Sequence, residues 1–324
     1  MVMARDHGGN LDTARADYGG ADWIDLSTGI NRRPYPVGDL PAECWTALPT
    51  ASATRALIGA AAARYGVAPE QVLPLAGAQA AIQLYPRLRM PRHARVLGPI
   101  YNEHAAALRA QGWSVEEITS PDALRGADLA VVVNPNNPDG RTHAPGDLAA
   151  LAQSVGLLVV DESFADPEPA LSAAHHAGDR LLVLRSFGKF YGLAGVRLGF
   201  ALGSGALVDR LREMAGPWSV SGPAIAIGTR ALADDAWIAA TTARLMDDAR
   251  RLDALAARAG WSLVGGTPLF RTYATRDAAA VQDALARRGI WTRRFPYSAS
   301  WLRLGLPDGE AEWVRTDAAL RDLP

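Results

Sequence analysis

The chain is 324 residues long, enough for a large buried core and two domains. A formal net charge of -1, with 21% charged residues, supplies no basic surface for nucleic acid or for an anionic membrane. No apolar run reaches spanning length, one cysteine (Cys44) excludes an internal disulfide framework, and the six histidines show no zinc-site spacing. The opening MVMARDHGGN has no apolar stretch of the secretory kind, so a reducing cytoplasm is the expected location.

Residues 1–35, rich in Gly, Asp and Asn, read as an irregular arm that contributes to a small domain. Helices are expected over 53–66 and 78–89, a short buried strand over 95–99, and a helix over 103–112 closed by Gly112. An apolar strand then runs into a turn (128–138), followed by a helix (146–156) and strands at 157–163, 181–187 and 197–203. Apolar strands separated by helices predict an α/β fold with a mainly parallel central sheet covered on both faces. That large domain is expected over 36–216. After Pro217 come long helices (223–260), a strand (268–275), a helix (276–289) and short strands near 290–294 and 301–306. They predict a smaller α/β domain over 217–324.

In such sheets ligands sit beyond the carboxyl ends of the strands. Asn137, Asp161, Ser186 and Lys189 all fall there. Lys189 has a further distinction: it is the only lysine among 33 lysines and arginines. Arginine serves wherever charge alone is wanted, but it stays protonated and is a poor nucleophile. A lysine can lose its proton and attack a carbonyl. The count by itself fits chance as well as chemistry.

The segment 184–200, LRSFGKFYGLAGVRLGF, resembles the lysine motif of fold-type-I enzymes that use pyridoxal 5'-phosphate (PLP). Further landmarks of that family follow in order from residue 7 to about 306. HGGN (7–10), STGIN (27–31) and PWSV (217–220) point to its threonine-phosphate decarboxylase branch, which serves cobalamin biosynthesis. Histidinol-phosphate aminotransferases are the near relatives and supply the alternative reading. The resemblance implies that Lys189 holds PLP through a Schiff base and shuttles protons, and that Asp161 pairs with the ring nitrogen. Taken alone, Asp161 would read as a helix cap at a strand end. The resemblance further assigns Asn137 to the ring hydroxyl and Tyr101 to stacking on the ring. Gly77, Ala78 and Gln79 at a helix start, with Ser186 and Arg197, are assigned to the cofactor phosphate.

For the substrate, a phosphorylated amino acid, the resemblance assigns the α-carboxylate to Arg303 and to the backbone of Gly29 and Ile30. His7, Gly9, Asn10 and Arg32 are the residues expected around its phosphate. Two positions depart from the wider family. Phe164 stands where many relatives have a tyrosine, a feature the decarboxylase branch shares. Leu48 stands where relatives often place a tyrosine that reaches the partner subunit. The implied reaction is loss of CO₂ from L-threonine O-3-phosphate to give (R)-1-amino-2-propanol O-2-phosphate. A homodimer is implied; a protein partner from the cobalamin pathway is left open.

Overall fold

The computed structural model describes residues 7–323. Contacts gather them into two compact units. The larger spans 34–137 and 141–238, and the smaller takes in the residues up to 33, residues 138–140 and those from 239 onward. The sequence-based boundary at 217 differs from this division because of one helix pair. Helix α5 (Gly222–Leu232) packs along α1 (Ala51–Tyr65) within the larger unit. Gly228 permits the close approach, since a Cβ there would press on the side chains of Leu57 and Leu198.

The larger unit is built on a seven-stranded sheet. Its strands are β1 (Val72–Leu75), β2 (His93–Leu97), β3 (Ser114–Ile118), β4 (Leu129–Val133), β5 (Leu158–Asp161), β6 (Leu181–Ser186) and β7 (Gly199–Leu202). Their spatial order is β1-β7-β6-β5-β4-β2-β3. The strands from β2 to β6 pair in parallel, whereas β7 is antiparallel to both β1 and β6. A parallel return would need a crossover of a dozen or more residues, usually helical. The link from Ser186 to Gly199 holds only the four-residue helix Phe187–Phe190 and a 3₁₀ turn over Ala194–Val196, and the chain turns back instead.

Every residue of β4 and β5 is buried, as expected for strands covered on both faces. Two strands escape a reading by pattern: β1 contains Pro74, and the edge strand β3 carries the consecutive exposed residues Glu116 and Glu117. The helix expected over 78–89 is α2 (Ala78–Leu84), which tightens into a 3₁₀ turn over Tyr85–Leu88. Pro86 has no N–H to continue the α-helical ladder. Helix α3 (Glu103–Ala110) follows β2, and α4 (Gly205–Ala215) follows β7.

The smaller unit has a four-stranded antiparallel sheet, β8 (Ser262–Thr267), β9 (Phe270–Ala274), β10 (Arg293–Phe295) and β11 (Ser298–Gly305), in the order β10-β11-β9-β8. The long helix α6 (Asp235–Arg258) enters this unit at residue 239 and buries Thr241, Leu245, Ala249, Leu252 and Ala256. These lie three or four apart, on one helix face. Residues 138–140 belong here because the Thr272 hydroxyl donates to the Pro138 carbonyl at 2.5 Å and Gly140 lies against Gly266. The arm is more ordered than its composition suggests. Leu11–Tyr18 is a helix, capped by the Asn10 side chain, and Ile24–Asp25 pairs in parallel with Ile290–Trp291.

Leu182 is fully buried in the main core cluster of the larger unit. Leu182→Ala should cost about 2–5 kcal/mol, the usual range for a cavity of this kind, read as a lower denaturant midpoint of the larger unit.

Candidate active site

Strand register brings the chemically distinctive residues to one end of the large sheet. Val133, Asp161 and Leu184 are cross-strand neighbours on β4, β5 and β6. Asn137 therefore follows the end of one strand, Asp161 ends the next, and Ser186 ends the third.

Asp161 is 2% exposed. One carboxylate oxygen accepts from the Ser163 N–H at 2.9 Å and from the Ser163 hydroxyl at 2.5 Å. The other lies 2.9 Å from Nε2 of His104. Burial pushes the Asp161 pKa up, but the His104 hydrogen bond and the two Ser163 donors outweigh it, holding the carboxyl below its ordinary value. On the far side of His104, the Tyr85 hydroxyl lies 3.2 Å from Nδ1. The Tyr101 ring meets the His104 ring edge-on at 6.2 Å. Tyr101 also donates to Gln79, whose amide donates to Glu103 at 3.1 Å.

Gly77 opens α2 in the left-handed region, φ 81°. A Cβ there would meet Nη2 of Arg197 at 2.8 Å, and a Cβ on Gly199 would strike the backbone of Gly77 and Ala78. Glycines at both places let a guanidinium and two backbone segments close together. Arg197 itself has φ 55°, and its Nη1 donates to the Ala194 carbonyl. Ser186 precedes the short lysine helix without spending its hydroxyl on a cap. Nζ of Lys189 stands 5.5 Å from the centre of the Phe164 ring.

The loop after β4 is pinned through Asn134, which exchanges hydrogen bonds with the His143 backbone, and through Asn136, which donates to the Pro99 carbonyl at 3.0 Å. This fixes the turn from which Asn137 emerges. Beneath the site, buried Arg185 bridges Glu162 at 2.7 Å and Asp166 at 2.5 Å. It ties β6 to the segment that follows β5.

In the smaller unit, Arg303 on β11 is 6% exposed and donates to the Ser27 carbonyl at 2.6 Å. Its guanidinium carbon lies 5.2 Å from the Phe270 ring centre and 5.9 Å from that of Phe295. Burial, and then the charge of Arg293, lowers its pKa to about 10. Arg293 is its direct cross-strand partner on β10. The arm packs onto the same place: the Gly9 N–H donates to the Ser27 hydroxyl at 2.7 Å, and Gly8 lies against the Ser27 carbonyl. Gly29 is buried and Ile30 half-buried just beyond.

Two expected anion ligands are otherwise employed. Arg32 forks onto both carboxylate oxygens of Glu312 and donates to the Asp25 carbonyl. Its charge is neutralised there. The Asn10 side chain accepts from Thr13 N as the cap of the arm helix. His7 is exposed. Sequence reading missed His104, Ser163 and Arg293. The spacing of Tyr101 and His104, three apart at a helix start, was the available signal for one of them; the others depend on register.

A mixed seven-stranded sheet with a lysine, an aspartate and an asparagine at its strand ends, joined to a small α/β unit carrying a buried arginine, defines an aminotransferase-like enzyme. The chain belongs to the aminotransferase class I and II family, whose model matches residues 45–316. It is 47% identical to a threonine-phosphate decarboxylase of Pseudomonas aeruginosa and 43% identical to one of a Sinorhizobium species, each match covering 97% of both chains. A histidinol-phosphate aminotransferase of Mycobacterium tuberculosis is 34% identical over 72% of this chain and 68% of its own. Among solved structures, the fold is similar to histidinol-phosphate aminotransferase from Sinorhizobium meliloti in complex with PLP (TM-score 0.82, 20% identity, 100% and 99% covered). It is also similar to L-threonine-O-3-phosphate decarboxylase from Porphyromonas gingivalis (TM-score 0.75, 20% identity, 91% and 97% covered).

The ionised state of Asp161 has a measurable consequence. Its folded-state pKa is depressed, so its charge stabilises the fold above the ordinary aspartate value of about 3.9 and that contribution is lost as pH falls through the folded value. Asp161→Asn should cost stability at pH 7, and the difference from wild type should shrink below about pH 4, followed by denaturant titration at each pH.

Proposed function

We propose that this chain is a PLP-dependent decarboxylase that converts L-threonine O-3-phosphate to (R)-1-amino-2-propanol O-2-phosphate in cobalamin biosynthesis. The observation that carries the reading is its identity of 47% and 43% to two threonine-phosphate decarboxylases along 97% of the chain, against 34% over 72% for an aminotransferase of histidinol phosphate. The small unit supports it. A phosphorylated amino acid brings a carboxylate and a phosphate, and Arg303 and Arg293 stand opposite each other on β11 and β10.

The donor set fits PLP. The buried carboxylate of Asp161, held ionised, matches a protonated ring nitrogen. The cradle that a Cβ on Gly77 would fill, with Arg197 across it and Ser186 close in sequence, suits a phosphate. Lys189 would hold the cofactor's aldehyde carbon, Asn137 its ring hydroxyl, and Tyr101 its ring face; Ala78 and Gln79 would add to the phosphate site. When bound, PLP supplies an electron sink for the bond broken at the substrate's Cα.

The residues of the chain do the rest. Arg303, with the backbone of Gly29 and Ile30, would orient the substrate carboxylate, and Arg293 with Gly9 of the arm would meet the phosphate. The bond that breaks is the one held perpendicular to the ring. Two anchored anions fix that choice. Loss of CO₂ from Cα leaves an electron pair that needs a proton, and Nζ of Lys189 is the amine assigned to deliver it. Phe164 lies beside Nζ, with its ring centre 5.5 Å away.

The enzyme is proposed to be a cytoplasmic homodimer. Among the described residues no helix is long and apolar enough to cross a membrane. In the larger unit Trp45 and Leu48 are 68% and 65% exposed, on the segment that lies against the start of α5 at Gly222. Trp218 is 60% exposed just before that helix. Such surface suits a second copy.

Purified protein with PLP and L-threonine O-3-phosphate should release CO₂ and form the amino-alcohol phosphate. A phospho-keto product that needs 2-oxoglutarate, with no CO₂, would establish the aminotransferase reading instead. Lys189→Ala should abolish turnover and the visible absorbance band of protein-bound cofactor. Arg303→Gln should weaken substrate use by about 2–5 kcal/mol, the range for losing one partner of a buried charge pair. In kcat/KM this is a drop of thirtyfold or more for roughly 2 kcal/mol, while the visible band stays.

A further inference from the structure

The chain of contacts behind Asp161 goes one residue further than the site needs. Tyr85, His104 and Asp161 are 0%, 0% and 2% exposed. The Tyr85 hydroxyl and Nδ1 of His104 are 3.2 Å apart, and Nε2 of His104 is 2.9 Å from Asp161. Around the imidazole, the ionisable groups are Asp161 from β5, Tyr85 from the 3₁₀ turn after α2, and Tyr101 from the segment before α3. Tyr85 is packed in the main core cluster with Leu88, Leu108 and Trp113.

Three proton arrangements can be written for this chain. An imidazolium, or an imidazole carrying its hydrogen on Nδ1, would point an N–H at the Tyr85 oxygen. The phenol hydrogen would then face an apolar core, and a buried donor without an acceptor is costly. In the third arrangement the phenol donates to Nδ1 and Nε2–H donates to the carboxylate. Every hydrogen then has an acceptor, and burial, which pushes the phenol pKa well up, keeps its proton in place.

We infer that Tyr85 is a positioning residue for the cofactor site: by donating to Nδ1 it fixes His104 as the neutral Nε2–H form. A neutral His104 orients Asp161 without cancelling its charge. The full negative charge is then left for the cofactor's ring nitrogen. A partner on the far nitrogen of an imidazole is a known way to set the form of the near one. The inference rests on the reading that Asp161 faces that ring nitrogen.

The first test needs no cofactor and no variant of Tyr85. Nitrogen-15 NMR of the cofactor-free wild-type protein, with His104 assigned by its loss in His104→Gln, should show a protonated Nε2 and an unprotonated Nδ1 at neutral pH. A proton on Nδ1 overturns the inference. The second test uses Tyr85→Phe, which keeps the ring. PLP affinity, measured by titration of the visible band, should fall about tenfold, by analogy with the loss of outer partners at other cofactor and metal sites. The Nδ1 resonance should shift as its donor disappears. In a His104→Gln background, where the amide N–H still donates to Asp161, the same Tyr85 change should have no further effect. An unchanged affinity in Tyr85→Phe, or a full loss that persists in the glutamine background, overturns the inference. Failure of the wild type to bind PLP would be seen first and would sink the cofactor reading with it, whereas a different reaction product would leave all three measurements standing.

Discussion

The site is organised around one carboxylate kept charged in a dry interior. A carboxyl group as buried as Asp161 would ordinarily take up a proton. Here Ser163 gives two donors to one oxygen and His104 faces the other. Each donor is itself held by the fold: Ser163 by its place two residues on in the chain, His104 by Tyr85 and by α3. The charge is thus maintained by an arrangement of strands and helix starts, and changes in any of them act on the chemistry through Asp161. Arg185, tied to Glu162 and Asp166, secures the same strand ends from below.

The smaller unit solves the opposite problem with the opposite charge. Arg303 is a buried cation whose carbonyl partner, Ser27, carries no full charge. Arg293 stands across the strand pair, and its charge adds to burial in lowering the Arg303 pKa. The arm packs onto Ser27 through Gly8 and Gly9, where a side chain on Gly8 would strike the Ser27 carbonyl.

Much of this was legible in residues and spacing. The apolar strands β4, β5 and β6 announced a covered parallel sheet because both faces are buried. A lone lysine, three residues after Ser186 and eight before Arg197, marked the lysine proposed to hold the cofactor. Other features were hidden for physical reasons. Strand β1 carries a proline and β3 exposes its glutamates, so neither shows strand periodicity. The link into the antiparallel β7 holds only a four-residue helix and a 3₁₀ turn rather than a covering helix. Arg32 was expected at the substrate phosphate by its nearness to the arm, but Glu312, 280 residues away in sequence, neutralises it. Sequence nearness carries no information about such a partner.

The amino-acid sequence by itself determined the class of fold and singled out candidate reactive groups, because burial periodicity and nucleophile chemistry are local properties of residue type. Tertiary structure decided how those groups are tuned. The opposition of Arg293 and Arg303 depends on strand register, the charge of Asp161 on a histidine from another element, and the histidine's protonation on a tyrosine beyond it. Lys189 names the chemistry; only the packing of distant segments sets the protons and charges with which it works.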